Sequence, residues 1–251
     1  MQSKPRLGII DWGIGGIGLA RMIRSHLDGL RFFYLSDTGA TPYGRMSRRE
    51  LVSRLQTVIA FLKSQGVTHL AVACNAASTA LPFLPAVEMK VEGMIDSAVT
   101  AAQRMRPRRL ALIGGRRTVM SGVYRRAFAD RGIHLDQRIA QPLSALIESG
   151  DVSSLELREQ CRTILSPIRG CSHLLLACTH YPAVTPILEQ YVSSETIIID
   201  PAAELAARIK RWNLPPGGTD GFCTTGAPEK MKSAAWNAFR VKIGTVQTTT
   251  I

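Results

Sequence analysis

Three observations predict an α/β fold with mainly parallel sheets. Short apolar runs alternate with helix-like stretches along the whole chain, the pattern of strands joined by helical crossovers. Two of these runs, Leu70 to Ala73 and Leu174 to Ala177, lead directly into a cysteine, Cys74 and Cys178. An offset of a little over 100 residues lays Cys74 on Cys178, Asp11 near Gly114 and Gly44 near Gly150, so the chain reads as an internal duplication of one α/β unit.

In order, Arg6 to Ile10 is predicted as a strand, Asp11 to Gly18 as a glycine-rich turn, and Ile17 to Leu27 as a helix. A second strand over Leu30 to Leu35 runs into the loop Ser36 to Gly44. Ser47 and Glu50 have the spacing of a capping box and start a helix that continues towards Lys63. Strands near Leu70 to Ala73 and Val91 to Ile95 and a helix over Ser97 to Arg104 complete the first unit. The second unit repeats the pattern: a strand over Arg109 to Ile113, a turn over Gly114 to Thr118, a helix over Ser121 to Arg131, and the Cys178 strand. It closes near Asp200. A helix over Ala202 to Trp212, the breaker Pro215 to Gly218, a strand over Phe222 to Thr225 and a helix over Glu229 to Arg240 then return to the first unit.

At 251 residues and 45% hydrophobic content, the chain has ample material for packed cores. No apolar run reaches the roughly 18 residues of a membrane span, and the N-terminal run stops at Asp11 without a cleavage-type region, so a cytoplasmic protein without membrane contact is expected. The five cysteines are odd in number and contain no CxxC pair, which excludes a disulfide framework and a structural zinc site by spacing. Free thiols fit a reducing compartment. The net charge of +12 comes largely from arginines at 104–109, 116, 117, 125, 126 and 131. Such segments solvate helix faces or steer anionic substrates; no aromatic-interleaved motif supports nucleic acid as a partner.

Open α/β sheets bind ligands outside the carboxyl ends of their strands. Asp11, Asp37, Cys74, Thr118, Cys178 and His180 fall at such ends. If the two units face each other, Cys74 and Cys178 flank a ligand from opposite sides, which suits inversion of a carbon stereocentre: one group removes a proton from one face and another returns one to the opposite face. A thiol with an ordinary pKa of about 8.5 needs neighbours for this work. His180, two residues past Cys178 in the same loop, is a candidate to position or relay a proton for that thiol, Glu148, near the end of the corresponding second-half loop, to orient His180, and Asp11 to serve Cys74 in the same way. Asn75, Thr118 and Thr179 are candidates to hold a substrate carboxylate. A literal GxGxxG at Gly13 to Gly18, with Asp37 after the next strand, also matches a dinucleotide-binding pattern. Asp11 argues against it, since a carboxylate at the start of the turn repels a pyrophosphate, and the pattern leaves both cysteine loops unexplained.

These ordered motifs resemble the cofactor-independent aspartate/glutamate racemases, and glutamate racemases most closely. The residues that carry the resemblance are Ile10-Asp11 with Gly13, Gly15 and Gly16; Asp37 with Pro42-Tyr43-Gly44; Ala73-Cys74-Asn75 with Ala77-Ser78; Thr118 with Ser121 and Tyr124; Glu148 with Gly150; Cys178-Thr179-His180-Tyr181-Pro182; and Ile199-Asp200 with Ala202. The resemblance implies two pseudo-symmetric domains, 1–97 with 204–251 and 98–203, and an active site in the cleft between them. It implies no cofactor and no metal, an acidic amino acid as substrate, a homodimer, and supply of D-glutamate to cell-wall peptidoglycan. By the same resemblance Cys74 and Cys178 are the two bases, Asp11, Glu148 and His180 assist them, Asn75, Thr118 and Thr179 grip the amino acid, and the Pro42-Tyr43-Gly44 loop meets its side-chain carboxylate.

Three positions depart from the pattern. Trp12 and Ala76 stand where serine and threonine are usual at substrate-contacting positions, and Pro201 where serine is usual. Losing two hydroxyls removes hydrogen bonds worth about 0.5–1.5 kcal/mol each. An indole at position 12 reshapes a pocket, so Trp12 and Ala76 point to an altered acidic substrate, with aspartate as the second choice after glutamate. A non-catalytic, ligand-sensing descendant is the competing reading.

Overall fold

The computed structural model describes residues 6–251 and contains two parallel sheets flanked by helices. The first half supplies β1 (Leu7–Asp11), α1 (Ile17–His26), β2 (Phe32–Ser36), α2 (Arg48–Ser64), β3 (His69–Val72), α3 (Asn75–Ser78), β4 (Lys90–Gly93) and α4 (Met94–Met105). The second half supplies β5 (Leu110–Gly114), α5 (Arg116–Met120), α6 (Val123–Ala129), β6 (Leu135–Ile139), α7 (Gln141–Glu148), α8 (Leu155–Leu165), β7 (His173–Ala177), α9 (Thr185–Leu188) and β8 (Ile197–Ile199). The return segment is α10 (Ala202–Lys210), β9 (Gly221–Thr224), α11 (Pro228–Phe239) and β10 (Gln247–Thr248).

One sheet runs β10-β9-β2-β1-β3-β4 and the other β6-β5-β7-β8, with every pairing parallel. The order β2-β1-β3-β4 in the first matches β6-β5-β7-β8 in the second, so the duplication inferred from the cysteines is a duplication of topology. In each copy the strand order reverses between the two central strands, β1 and β3 or β5 and β7. That reversal opens a crevice at the carboxyl ends, where parallel sheets bind ligands. Cys74 follows β3 and Cys178 follows β7, so each cysteine stands at the switch point of its own sheet.

The central strands β1, β5 and β7 are buried along their whole length, which explains their continuous apolar runs. The capping box is present: the Glu50 amide donates to Ser47 Oγ at 3.3 Å and the Ser47 amide to Glu50 Oε2 at 2.7 Å. Elsewhere the structure corrects the reading. The expected helix over Ser121 to Arg131 is interrupted: Gly122 has φ +68°, a left-handed conformation that ends α5 and lets α6 start in a new direction. The turn expected over Gly114 to Thr118 is already helical from Arg116. The strand expected to reach Ile95 ends at Gly93, and α4 starts three residues ahead of Ser97. Glu148 is the last residue of a helix, not part of a loop. Gly150, with φ +89°, ends that helix and has no counterpart in the loop at Gly44. β6 and β10 had no apolar signal because both are edge strands with polar, part-exposed faces.

Helices α4 and α10 pack on each other where the chain passes between the sheets, and one buried cluster includes Leu7 and Ala71 of the first sheet with Ile113 and Leu176 of the second. No helix among the described residues is long and apolar enough to cross a membrane.

Candidate active site

Between the carboxyl ends of the two sheets lies a cavity of about 360 Å³. Every residue that the sequence nominated lines it: Asp11, Trp12, Pro42, Tyr43, Gly44, Cys74, Asn75, Ala76, Thr118, Glu148, Cys178, Thr179 and His180. The two cysteines reach it from equivalent positions of the duplicated units.

The halves are tied together at the cavity by side chains from one that bond to the other. Thr179 Oγ1 donates to Asp11 Oδ2 at 2.7 Å, Tyr124 Oη donates to Asn75 Oδ1 at 2.6 Å, and the Ile14 amide donates to Glu148 Oε2 at 3.0 Å. The glycine turn therefore presents its amide to a protein carboxylate. A Cβ on Gly13 would lie 2.0 Å from Glu148 Oε2, and one on Gly15 would lie 2.2 Å from Thr179 Oγ1. Glycine is required there because the second half comes that close, and the space that a pyrophosphate would take beside a dinucleotide turn is filled by Glu148 and Thr179. Asp37, the other part of that pattern, is wholly buried and accepts from Arg54, from Tyr43 Oη at 2.6 Å and from Thr225 Oγ1 at 2.8 Å.

The comparisons with known proteins agree with this geometry. The sequence profile of the Asp/Glu/Hydantoin racemase family matches residues 18–209. The glutamate racemase of Desulforudis audaxviator (strain MP104C) is 32% identical over 256 residues, covering 97% of this chain and 94% of that protein. The chain belongs to the Asp/Glu/Hydantoin racemase family. Among solved structures, a glutamate racemase isoform from Bacillus anthracis superposes with a TM-score of 0.88 at 25% identity, covering 99% of this chain and 98% of that one. The glutamate racemase from Thermus thermophilus in complex with beta-chloro-D-alanine superposes at 0.86 with 26% identity, covering 100% and 99%.

In this racemase-family chain the surroundings of the two cysteines differ. Cys178 Sγ lies 3.6 Å from His180 Nδ1, and His180 Nε2 is 2.5 Å from Glu148 Oε2. Burial pulls the His180 pKa down, but its hydrogen bonds to Cys178 and Glu148 outweigh that and hold it well above the ordinary histidine value. The shift favours the charged imidazolium beside the Cys178 sulfur. Burial, reinforced by the nearby Asp11 charge, pushes the Cys74 thiol well above its ordinary range. Burial also raises Asp11, against the opposing pull of His180 and the bond from Thr179. The surroundings therefore act in opposite senses: burial and Asp11 favour the protonated thiol at Cys74, while the bonds to His180 favour its charged form next to Cys178.

Two buried polar atoms of the lining lack any protein partner, Asp11 Oδ1 and Asn75 Nδ2. Buried polar groups in native proteins are nearly always paired, so these two atoms are exceptions beside the cavity. Tyr43 is different. Its hydroxyl is held by Asp37, which leaves the backbone of the Pro42-Tyr43-Gly44 loop as that loop's main polar surface. Trp12 forms part of the wall and donates from Nε1 to the Ala40 carbonyl at 3.0 Å, which fixes the indole. At Pro201, the proline takes the N-cap position of α10, and Asp200 Oδ1 accepts from the Ala202 amide at 2.9 Å.

Sequence reading did not nominate Arg45, Arg117, Gln141 and Ser144 as site residues, though all four line the cavity. Gln141 and Ser144 lie in α7, whose position over the cleft depends on β6, the strand without an apolar signal. Arg117 was visible only as one of many arginines. Its signal was its place one residue before Thr118, on the same helix.

Proposed function

We propose that this protein interconverts the L and D forms of glutamate, with aspartate as the second candidate, by a two-base transfer of the α-proton between Cys74 and Cys178. The observation that carries the proposal is that the two thiols come from the equivalent switch points of duplicated sheets and open on one cavity. Glutamate as the substrate draws on the relatives at 32% identity, which are named for it.

In the reaction one sulfur, as thiolate, takes the proton from the α-carbon. The bonding electrons remain on the substrate as a carbanion delocalised into its carboxylate. The opposite cysteine, as thiol, delivers its proton to the other face. One S–H bond forms as the other breaks, one C–H bond breaks as another forms, and the reverse reaction exchanges the roles. His180, positioned by Glu148, supplies charge at Cys178, and Asp11 takes the corresponding place at Cys74. Asn75, Thr118 and Thr179 orient the amino acid. No cofactor takes part in this scheme.

The proposal also includes the division into domains 1–97 with 204–251 and 98–203, of which residues 1–5 lie outside the described structure. The crossings between those domains lie within α4 and α10. On the family resemblance the proposal includes a homodimer and a supply of D-glutamate to peptidoglycan, and it keeps the cytoplasmic location expected from the sequence. The test is a chiral assay in deuterium oxide. Wild-type protein should racemise glutamate and place deuterium at the α-carbon, and Cys74→Ser and Cys178→Ser should each lower racemisation by at least about a thousandfold, the scale of losing a positioned acid or base. Wild-type protein that exchanges no α-hydrogen of glutamate or aspartate would sink the proposal and favour a ligand-binding role.

A further inference from the structure

Five arginines of this protein are half-buried, and of the three without a carboxylate partner among the described residues, Arg6, Arg117 and Arg158, only Arg117 lines the cavity. Arg54 is paired with Asp37, and Arg208 with Glu92 and Glu204. Arg117, also partly buried, has no carboxylate partner among the described residues. Its Nη1 donates to the Met46 carbonyl at 2.6 Å and its Nε to Thr79 Oγ1 at 3.2 Å, which fixes the guanidinium against the first half while Nη2 makes no protein hydrogen bond. Removing a charge from water without a counter-charge is costly, so a fixed, partly desolvated guanidinium in the wall of a ligand cavity is a receptor for an anion. The site lies close enough to Cys74 for the two groups to influence each other's charge.

Arg117 also stands in the wall of a neighbouring cleft. This second cleft, about 760 Å³, shares Gly44, Arg45 and Arg117 with the catalytic cavity. Arg48, Arg116 and Arg126 also line it, its lining contains no acidic residue, and none of its five arginines forms an ion pair among the described residues. The Arg48 guanidinium lies 4.3 Å from the centre of the Phe83 ring, in a cation–π contact. The other four arginines are exposed, and five like charges around one cleft favour an anion entering it.

We infer that Arg117 binds the distal anion of the substrate, and that the neighbouring arginine-lined cleft admits acidic amino acids longer than glutamate. This inference rests on the racemase reading for its reaction. It extends that reading to the substrate class: an α-amino acid whose far end carries a carboxylate and has room to extend beyond glutamate's length. Trp12 and Ala76, which remove two hydroxyls from the usual polar lining, fit a site that recognises the distal end by charge.

The test compares wild type with Arg117→Met on aspartate, glutamate, 2-aminoadipate, γ-glutamylglycine and the neutral glutamine, by racemisation and α-hydrogen exchange. Glutarate binding by calorimetry is measured beside it and does not require turnover. With charged hydrogen bonds at their usual strength, Arg117→Met should lower kcat/KM for glutamate about 30-fold, mainly through KM, and weaken glutarate by a similar factor. Glutamine should change less than about threefold, because it offers no charge to lose. Wild type should process 2-aminoadipate and γ-glutamylglycine within about tenfold of glutamate, as expected where extra length costs little binding. If Arg117→Met does not fold, Arg117→Lys carries the same comparison, with a loss of about tenfold expected because the charge stays but the fork is lost.

An unchanged ratio of glutamate to glutamine in the variant, with only a lower melting temperature, would overturn the inference and make Arg117 a clamp between the halves. Failure of both longer acids in wild type would overturn the extended substrate class. If wild type exchanges no amino acid but binds glutarate in an Arg117-dependent manner, the anion receptor stands and the racemase reading falls. If the variant racemises glutamate normally, the reverse holds.

Discussion

Replacing Glu148 by glutamine isolates one arm of the site, because Glu148 does two separable things. Its Oε2 accepts from the Ile14 amide of the first half, and it forms a 2.5 Å contact with His180 Nε2, which in turn lies 3.6 Å from Cys178 Sγ. Glutamine keeps the shape and can still accept from Ile14, but it cannot balance the imidazolium. A hydrogen bond to a charged group contributes about 1.5–3 kcal/mol, and each 1.4 kcal/mol is about tenfold in rate, so kcat/KM should fall about ten- to a hundredfold. Enantiomers have equal free energies, so the ratio of kcat/KM in the two directions must stay at unity in any variant. The asymmetry of the arm appears instead in the separate kcat and KM values and in how much solvent deuterium enters recovered substrate relative to product. Glu148 helps to hold the His180 pKa up, so its loss brings that pKa down and moves the alkaline limb of the pH–rate profile to lower pH. Initial-rate kinetics by circular dichroism, followed from both enantiomers between pH 6 and 10, is the assay. A kcat/KM within twofold of wild type, with an unmoved alkaline limb, would refute the role given to Glu148.

Gly15→Ala places a methyl group 2.2 Å from Thr179 Oγ1 and 2.9 Å from His180 Nδ1, so the Thr179–Asp11 bond must break; urea denaturation should show a loss of about 1–3 kcal/mol together with lost activity. Arg54→Met leaves the buried Asp37 carboxylate without its ion-pair partner and should cost about 3–5 kcal/mol in the same measurement, far more than an exposed arginine would. His180 has a raised folded pKa, so its protonation stabilises the fold fully below the unfolded value of about 6.5, and that contribution is lost as pH rises through the folded value. The stability advantage of wild type over His180→Gln should therefore shrink between pH 6 and 9, and an advantage that grows with pH would contradict the assignment.

The site was legible in sequence to the extent that it sits on strand ends. An apolar strand that stops at a cysteine fixes that cysteine's depth and direction locally, and the parallel order of Cys74 and Cys178 in the two halves carried the duplication with it. The Ser47–Glu50 capping box was equally local. Gly122 hid the break between α5 and α6, because a glycine in a helical pattern is compatible with either outcome. Glu148 was nominated as a partner of His180, but its place at the end of a helix against the Gly13 turn depends on the two halves meeting, and no sequence period encodes that. Arg117 illustrates the same limit more strongly. One arginine among many becomes the wall of a cavity because α5 packs against the Met46 and Thr79 segments of the other half.

Local sequence thus determined the parallel α/β units, the two cysteines at their strand ends and His180 two residues past Cys178, since backbone periodicity and turn chemistry act over a few residues. Tertiary structure alone decided that the glycine turn receives a carboxylate from the second half, that Asp37 belongs to a buried ion-pair network, and that Arg117 lines the cavity. Those features depend on contacts between residues far apart in sequence, such as Ile14 with Glu148, Asp37 with Thr225 and Arg117 with Met46, which only tertiary packing brings within reach.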